Sequence, residues 1–156
     1  NRIHCSGGNF LLRNGAEHTI VGGGELCWAN TKLANDGVIE ASGPDPLTID
    51  TLDTPASQNA GWMRAAAGGT LTLHRSTIEN TGHIVASPAG TVVLRGSTVT
   101  GGVIAAEEGG LVLVEDTNAV TTLDSVHVVG EAVHLNGAEV HLWTNLGLEK
   151  KKPANS

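Results

Sequence analysis

Asp50, His74, Arg95 and Glu115 lie 24, 21 and 20 residues apart along the chain. Brought onto one face, the line would set carboxylates beside an imidazole and a guanidinium, the groups that acid–base work on a polysaccharide requires. Other acids gather nearby: Asp45, Asp50 and Asp53 in one stretch, Glu107 and Glu108, then Glu115, Asp116 and Asp124. None of them forms a column of acids with a neighbouring Arg or Lys. In full the line reads Ala29, Asp50, His74, Arg95, Glu115, Asn136, with mixed signs. That pattern favours a solvated face whose charges offset one another, so no catalytic residue is assigned.

The remaining chemistry is thin. The Asp cluster suits calcium in ligand type, but the Gly-Gly-x-Gly-x-Asp repeat is missing. Seven His are present; His74, His83, His134 and His141 alternate with inward residues and are expected to face water, His127 has an uncertain register, and His4 and His18 lie near an irregular start. Cys5 and Cys27 are 22 apart, without the spacing of a zinc site. No cofactor or metal is expected. There is no Gly-x-Ser-x-Gly elbow. Gly22-Gly-Gly24 reads as a turn and opens no helix. Thr48 and Thr72 give way in register to Val93, so regular water-ordering Thr columns are not expected.

What must position these residues is a repeat. Asn14, Asn35, Asn59 and Asn80 recur at intervals of 21, 24 and 21, and Thr100 and Thr121 carry the register on. Counting from each Asn, positions 4 and 6 are apolar: Ile39/Ala41, Met63/Ala65, Ile84/Ala86, Ile104/Ala106. Positions 12 and 14 repeat the alternation as Leu26/Trp28, Leu47/Ile49, Leu71/Leu73, Val92/Leu94, Val112/Val114 and Val133/Leu135, which makes Trp28 a core residue. Positions 17 and 19 give Thr31/Leu33, Ser76/Ile78, Ser97/Val99, Thr117/Ala119 and Ala138/Val140, interrupted by an insertion near Asp50 to Ala56. Gly24, Gly69, Gly90 and Gly110 mark the turn before the second pair.

Three short alternating strands per period describe one rung of a parallel β-solenoid, all-β and of about six rungs of 20–24 residues. Helical solenoids need longer periods, and a hexapeptide solenoid needs apolar residues every six. A right-handed β-helix follows from the usual hand of parallel crossovers. Stacked in register, Asn14, Asn35, Asn59 and Asn80 can form a ladder of side-chain amides, and Ser76, Ser97 and Thr117 a hydroxyl column. Residues 1–13 read as an irregular first rung or edge, 14–141 as the β-helix, and 142–156 as a terminal segment with a polar Lys-rich tail. Cys5 falls over Leu26, so a disulfide to Cys27 needs a one-residue bulge; two separate thiols are the alternative.

Only 16% of the residues are charged, with one Phe, no Tyr and 21 Gly, so the core is built of small aliphatic groups. A net charge of −7 argues against nucleic acid or an anionic membrane as partner, and no apolar run is long enough to span a bilayer. Position 3 gives an outward column of Glu17, Val38, Trp62, His83 and Val103. An indole on a partly apolar strip is a contact site for a protein or carbohydrate ligand, centred on Val38, Trp62, His83 and Val103.

The runs Asn35-Asp-Gly-Val-Ile-Glu-Ala, Asn80-Thr-Gly-His-Ile-Val-Ala and Gly69-Thr-Leu-Thr-Leu with Ser76-Thr-Ile resemble rungs of large secreted bacterial β-helix proteins, the filamentous-haemagglutinin-like adhesins and autotransporter passengers. The resemblance covers residues 14 to about 141 and implies a secreted or cell-surface module, structural and adhesive, without catalysis. Two further readings stand beside it. One is an extracellular filament subunit whose end rungs stack copy on copy, motivated by the lack of an amphipathic helix to cap either end. The other is a carbohydrate-active β-helix lyase or hydrolase.

Overall fold

The computed structural model describes residues 1–4, 10–28, 31–51, 56–115, 119–130, 133–136, 140–143 and 147–148. The chain is a right-handed parallel β-helix with three strands per rung, wound into three sheets of seven strands each among the described residues. Sheet A holds Arg2–His4, Gly24–Trp28, Leu47–Ile49, Thr70–His74, Thr91–Arg95, Leu111–Glu115 and Val133–Asn136. Sheet B holds Phe10–Asn14, Thr31–Asn35, Ser57–Asn59, Thr77–Asn80, Thr98–Thr100, Thr121–Asp124 and Val140–Trp143. Sheet C holds Thr19–Gly22, Val38–Ala41, Trp62–Ala65, His83–Ala86, Val103–Ala106, His127–Val129 and Gly147–Leu148.

Strand alternation fills the interior as the apolar pairs require. Ile39, Met63, Ile84 and Ile104 enter from sheet C, Leu71/Leu73 and Val92/Leu94 from sheet A, and Leu33, Ile78, Val99 and Leu123 from sheet B, all buried. Each layer stands on the next at the strand spacing of about 4.8 Å, so backbone groups find partners between rungs.

Two side-chain columns join the rungs where the strands turn. At the corner from sheet B to sheet C, the buried Asn14, Asn35, Asn59 and Asn80 form a continuous amide ladder. The glycine two places later lies against the preceding rung: a Cβ on Gly61 would collide with the Gly37 carbonyl. At the corner from sheet A to sheet B the hydroxyls take over. Ser76 Oγ accepts the Thr51 N–H at 3.1 Å and donates to the Ile49 carbonyl at 3.0 Å; Ser97 Oγ does the same with the Ser76 N–H and the Leu73 carbonyl. Ser57 Oγ accepts from Leu33 N–H, but it stands in register with Ile78 and so lies outside the Ser76–Ser97 column.

The period miscounts wherever a turn gains or loses residues. Leu26 pairs with Ile49 and Gly24 with Leu47, so Gly24 lies inside a strand instead of marking the turn before it. Cys27, at φ 63°, forms a bulge opposite the Ile3–His4 step. The bulge carries Cys27 into the core and turns Trp28 outward to 37% exposure, which overturns the core assignment of Trp28. Arg2 covers the exposed indole, its guanidinium carbon 4.0 Å from the ring centroid.

Thr100 pairs with Glu79 and faces outward; the next corner is one residue shorter than that of Asn80 and is closed by Gly101 and Gly102 at positive φ. Thr100 therefore does not continue the Asn column. Thr121 is not in that column either, because Thr122 pairs with Thr98 and Leu123 with Val99. The third inward pair of that rung is Thr121/Leu123, not Thr117/Ala119, and Ala119 is exposed. Thr117 itself, Ala138 and the tail beyond residue 148 lie outside the described residues.

Candidate functional site

Sheet C turns one face to the core and the other to solvent, and its outer column is the strip centred on Trp62. Val38 pairs with Trp62, Trp62 with His83, His83 with Val103, and Val103 with His127. Below Val38 stands Thr19 rather than Glu17, because the first turn, closed by the His18 N–H on the Gly15 carbonyl, is longer than its counterparts and leaves Glu17 in the turn. His127, whose register the spacing left open, joins the strip and is exposed.

Register alone places the two rings of Trp62 and His83 one above the other. They stack with centroids 4.2 Å apart and planes 7° from parallel, while Trp62 keeps 43% of its surface exposed. One face of the indole is thereby closed, and its edge is presented outward. The neighbouring column begins with the exposed Val21, then Glu40 and Arg64 joined by an ion pair at 2.5 Å, then Val85, which is buried, and Ala105. The surface is an apolar and aromatic strip flanked by one compensated charge pair, a composition suited to contact more than to proton transfer.

On sheet A, the line of ionisable residues assembles as the spacing implies. His74, Arg95 and Glu115 are consecutive in register, and Asp50 follows Ile49, the partner of Leu73. Arg75 joins them from the adjacent turn, where φ 46° swings it toward Asp50. Asp50 Oδ2 lies 2.6 Å from Arg75 Nη2 and 3.2 Å from His74 Nδ1, and Arg95 Nε lies 2.5 Å from Glu115 Oε2. Both carboxylates are neutralised by basic neighbours, the arrangement expected of a face whose charges offset one another. Arg75 was invisible to the period count because it occupies a turn rather than a strand. Asp53 and Asp116 lie outside the described residues, and among those described no three His, Cys, Asp or Glu converge as a metal site.

Sheet B carries a short threonine column that the spacing does not reveal. Thr77, Thr98 and Thr122 stack in one outward column, with Thr100 two residues along the middle strand. On sheet A, Thr70 likewise pairs with Thr91. The sheet B column was hidden by the longer link before Thr121, which shifts Thr122 off the expected period. Of the two cysteines, Cys27 is buried in the core, whereas Cys5, and with it any disulfide, lies outside the described residues. Comparisons of the chain with protein-family models, with curated proteins and with solved structures each found no match.

Proposed function

We propose that this chain is a non-catalytic structural and adhesive module of a secreted or cell-surface protein, a rigid rod that presents the outer strip of sheet C to a protein partner. The observation that carries this reading is the strip of Val38, Trp62, His83 and Val103, four rungs long, with a half-exposed indole at its middle. A surface indole flanked by apolar residues is the side chain most often found at the centre of protein contacts. With His83 stacked on it, Trp62 has lost one of the two ring faces on which a sugar would stack, so a polypeptide suits the strip better than a carbohydrate.

The test is capture from a surface-protein extract on the immobilised chain, with Trp62→Ala as the paired control and a polysaccharide panel alongside. A partner retained by the chain and lost at least tenfold with Trp62→Ala supports the reading. Retention indifferent to Trp62 removes the strip as the contact site. Preferential binding to a polysaccharide replaces the partner class, and depolymerisation of any member of the panel overturns the non-catalytic assignment.

A further inference from the structure

An indole has two ring faces, and His83 closes one of those of Trp62. The rings lie parallel with centroids 4.2 Å apart, and His83 stands in the following rung, so the second face looks back toward the rung of Val38. Val38 is half-buried and much smaller than an indole, so the ring overhangs it. A step results. The 43% of Trp62 that stays exposed belongs to the ring edge and to this overhung face.

Carboxylates flank the step. Asp36 is exposed in the corner two residues before Val38, and Glu40 follows two residues after it on the same face of the strand. Glu40 meets Arg64 Nε through Oε2 at 2.5 Å, which commits Arg64 to a carboxylate rather than to the ring and leaves Oε1 to accept from a further donor. The Glu40–Arg64 pair cancels. What remains beside the step is the negative charge of Asp36, on a chain whose net charge is −7. Elsewhere the chain shows what such a combination holds: Arg2 lies over Trp28, its guanidinium carbon 4.0 Å from the ring centroid, and is paired with Glu25 of the same strand as that indole. A guanidinium uses both contacts at once, its plane on the ring and its edge on the carboxylate.

We propose that the step between Val38 and Trp62 receives an arginine side chain of the protein partner, an inference that rests on the reading of the sheet C strip as a protein contact. The guanidinium extends the His83–Trp62 stack by one more plane, its N–H groups donate to Glu40 Oε1 and to the Asp36 carboxylate, and its aliphatic stem crosses Val38. Arginine suits the step better than lysine, whose compact ammonium has no plane to stack. An acidic side chain would meet Asp36 and Glu40 as like charges and is excluded.

The experiment titrates N-acetyl-arginine amide into the ¹⁵N-labelled full chain, following the Trp62 indole N–H and the Val38 amide, with N-acetyl-citrulline amide, its uncharged isostere, alongside. Shifts that saturate at millimolar arginine probe are expected at both signals, with binding about fivefold weaker for citrulline. Asp36→Asn should weaken the arginine probe about twofold to threefold, and Trp62→Ala should abolish its shift at Val38. Absence of saturation overturns the proposal, as do equal affinities for the two probes, an equal affinity for N-acetyl-lysine amide, or shifts centred on Trp28. Failure of the underlying reading shows elsewhere, as a captured partner indifferent to Trp62→Ala. A partner lost with Trp62→Ala, yet unmoved by Asp36→Asn and by competing arginine amide, keeps the strip and overturns the arginine.

Discussion

Asn59 concentrates the logic of the corner in one side chain. It is fully buried, accepts from Asn35, and donates to Asn80 Oδ1 and the His83 carbonyl. Asn59→Ala strands a donor and an acceptor in the interior, and an unmade buried hydrogen bond costs about 1 to 3 kcal/mol per group. A loss of about 2 to 4 kcal/mol in urea unfolding is expected, with the fold retained in circular dichroism. Asn59→Asp keeps the shape but points a carboxylate at two acceptors. Its ionised form is disfavoured in the folded rod, so the variant should be less stable than Asn59→Ala at neutral pH and recover as pH falls, the opposite of an ordinary paired carboxylate. On the outer face, His83→Ala removes the ring stacked on Trp62. The expected cost is smaller, about 0.5 to 1.5 kcal/mol, read from the same unfolding curves.

Turns hold both the strain and the errors of register. Ala89 occupies a left-handed position, φ 61°, that Gly68 and Gly109 fill in the rungs on either side. A left-handed backbone costs an L-residue about 1 to 2 kcal/mol, partly offset by the chain entropy of glycine. Ala89→Gly should therefore raise the thermal midpoint, by up to about 1 kcal/mol of stability. Gly61→Ala should do the reverse and more severely, because the atom it would meet is a backbone carbonyl with no rotamer to yield. The inward pairs were legible in sequence from Ile39 to Val114 because alternation is kept within each strand even where a rung lengthens, as between Ile39 and Met63, or shortens, as between Ile84 and Ile104. Legibility failed at Glu17, Trp28, Thr100 and Thr117, next to a longer turn, a bulge, a shortened corner and a longer link respectively. Counting residues cannot separate a turn insertion from a strand residue, and only pairing resolves it. The contact strip was readable for the same reason as the core, since sheet C keeps its length from Val38 to Val103, whereas Arg75 and the Thr77 column needed the turns to be known.

Across the whole molecule, each rung is held only by its neighbours, so stability is a sum of stacked interfaces rather than the property of one centre. Hydrogen exchange should be slowest in the strands between Leu71 and Val114, where rungs lie above and below, and fastest in Phe10–Asn14 and Thr19–Gly22, which among the described residues have a neighbouring strand on one side alone. Uniform protection along the rod would contradict this picture. The near-constant offset between paired strands, such as the 21 residues separating Leu71 from Val92 and Ile78 from Val99, also fixes a mechanical property. Pulled from its two ends, the rod should resist like a tape unpeeling from a spool. Each rupture would free one rung, about 70 Å of contour at roughly 3.5 Å per residue. The force trace would be a sawtooth of nearly equal teeth, with wider intervals where the insertion before Ser57 and the link before Thr121 lengthen the coil.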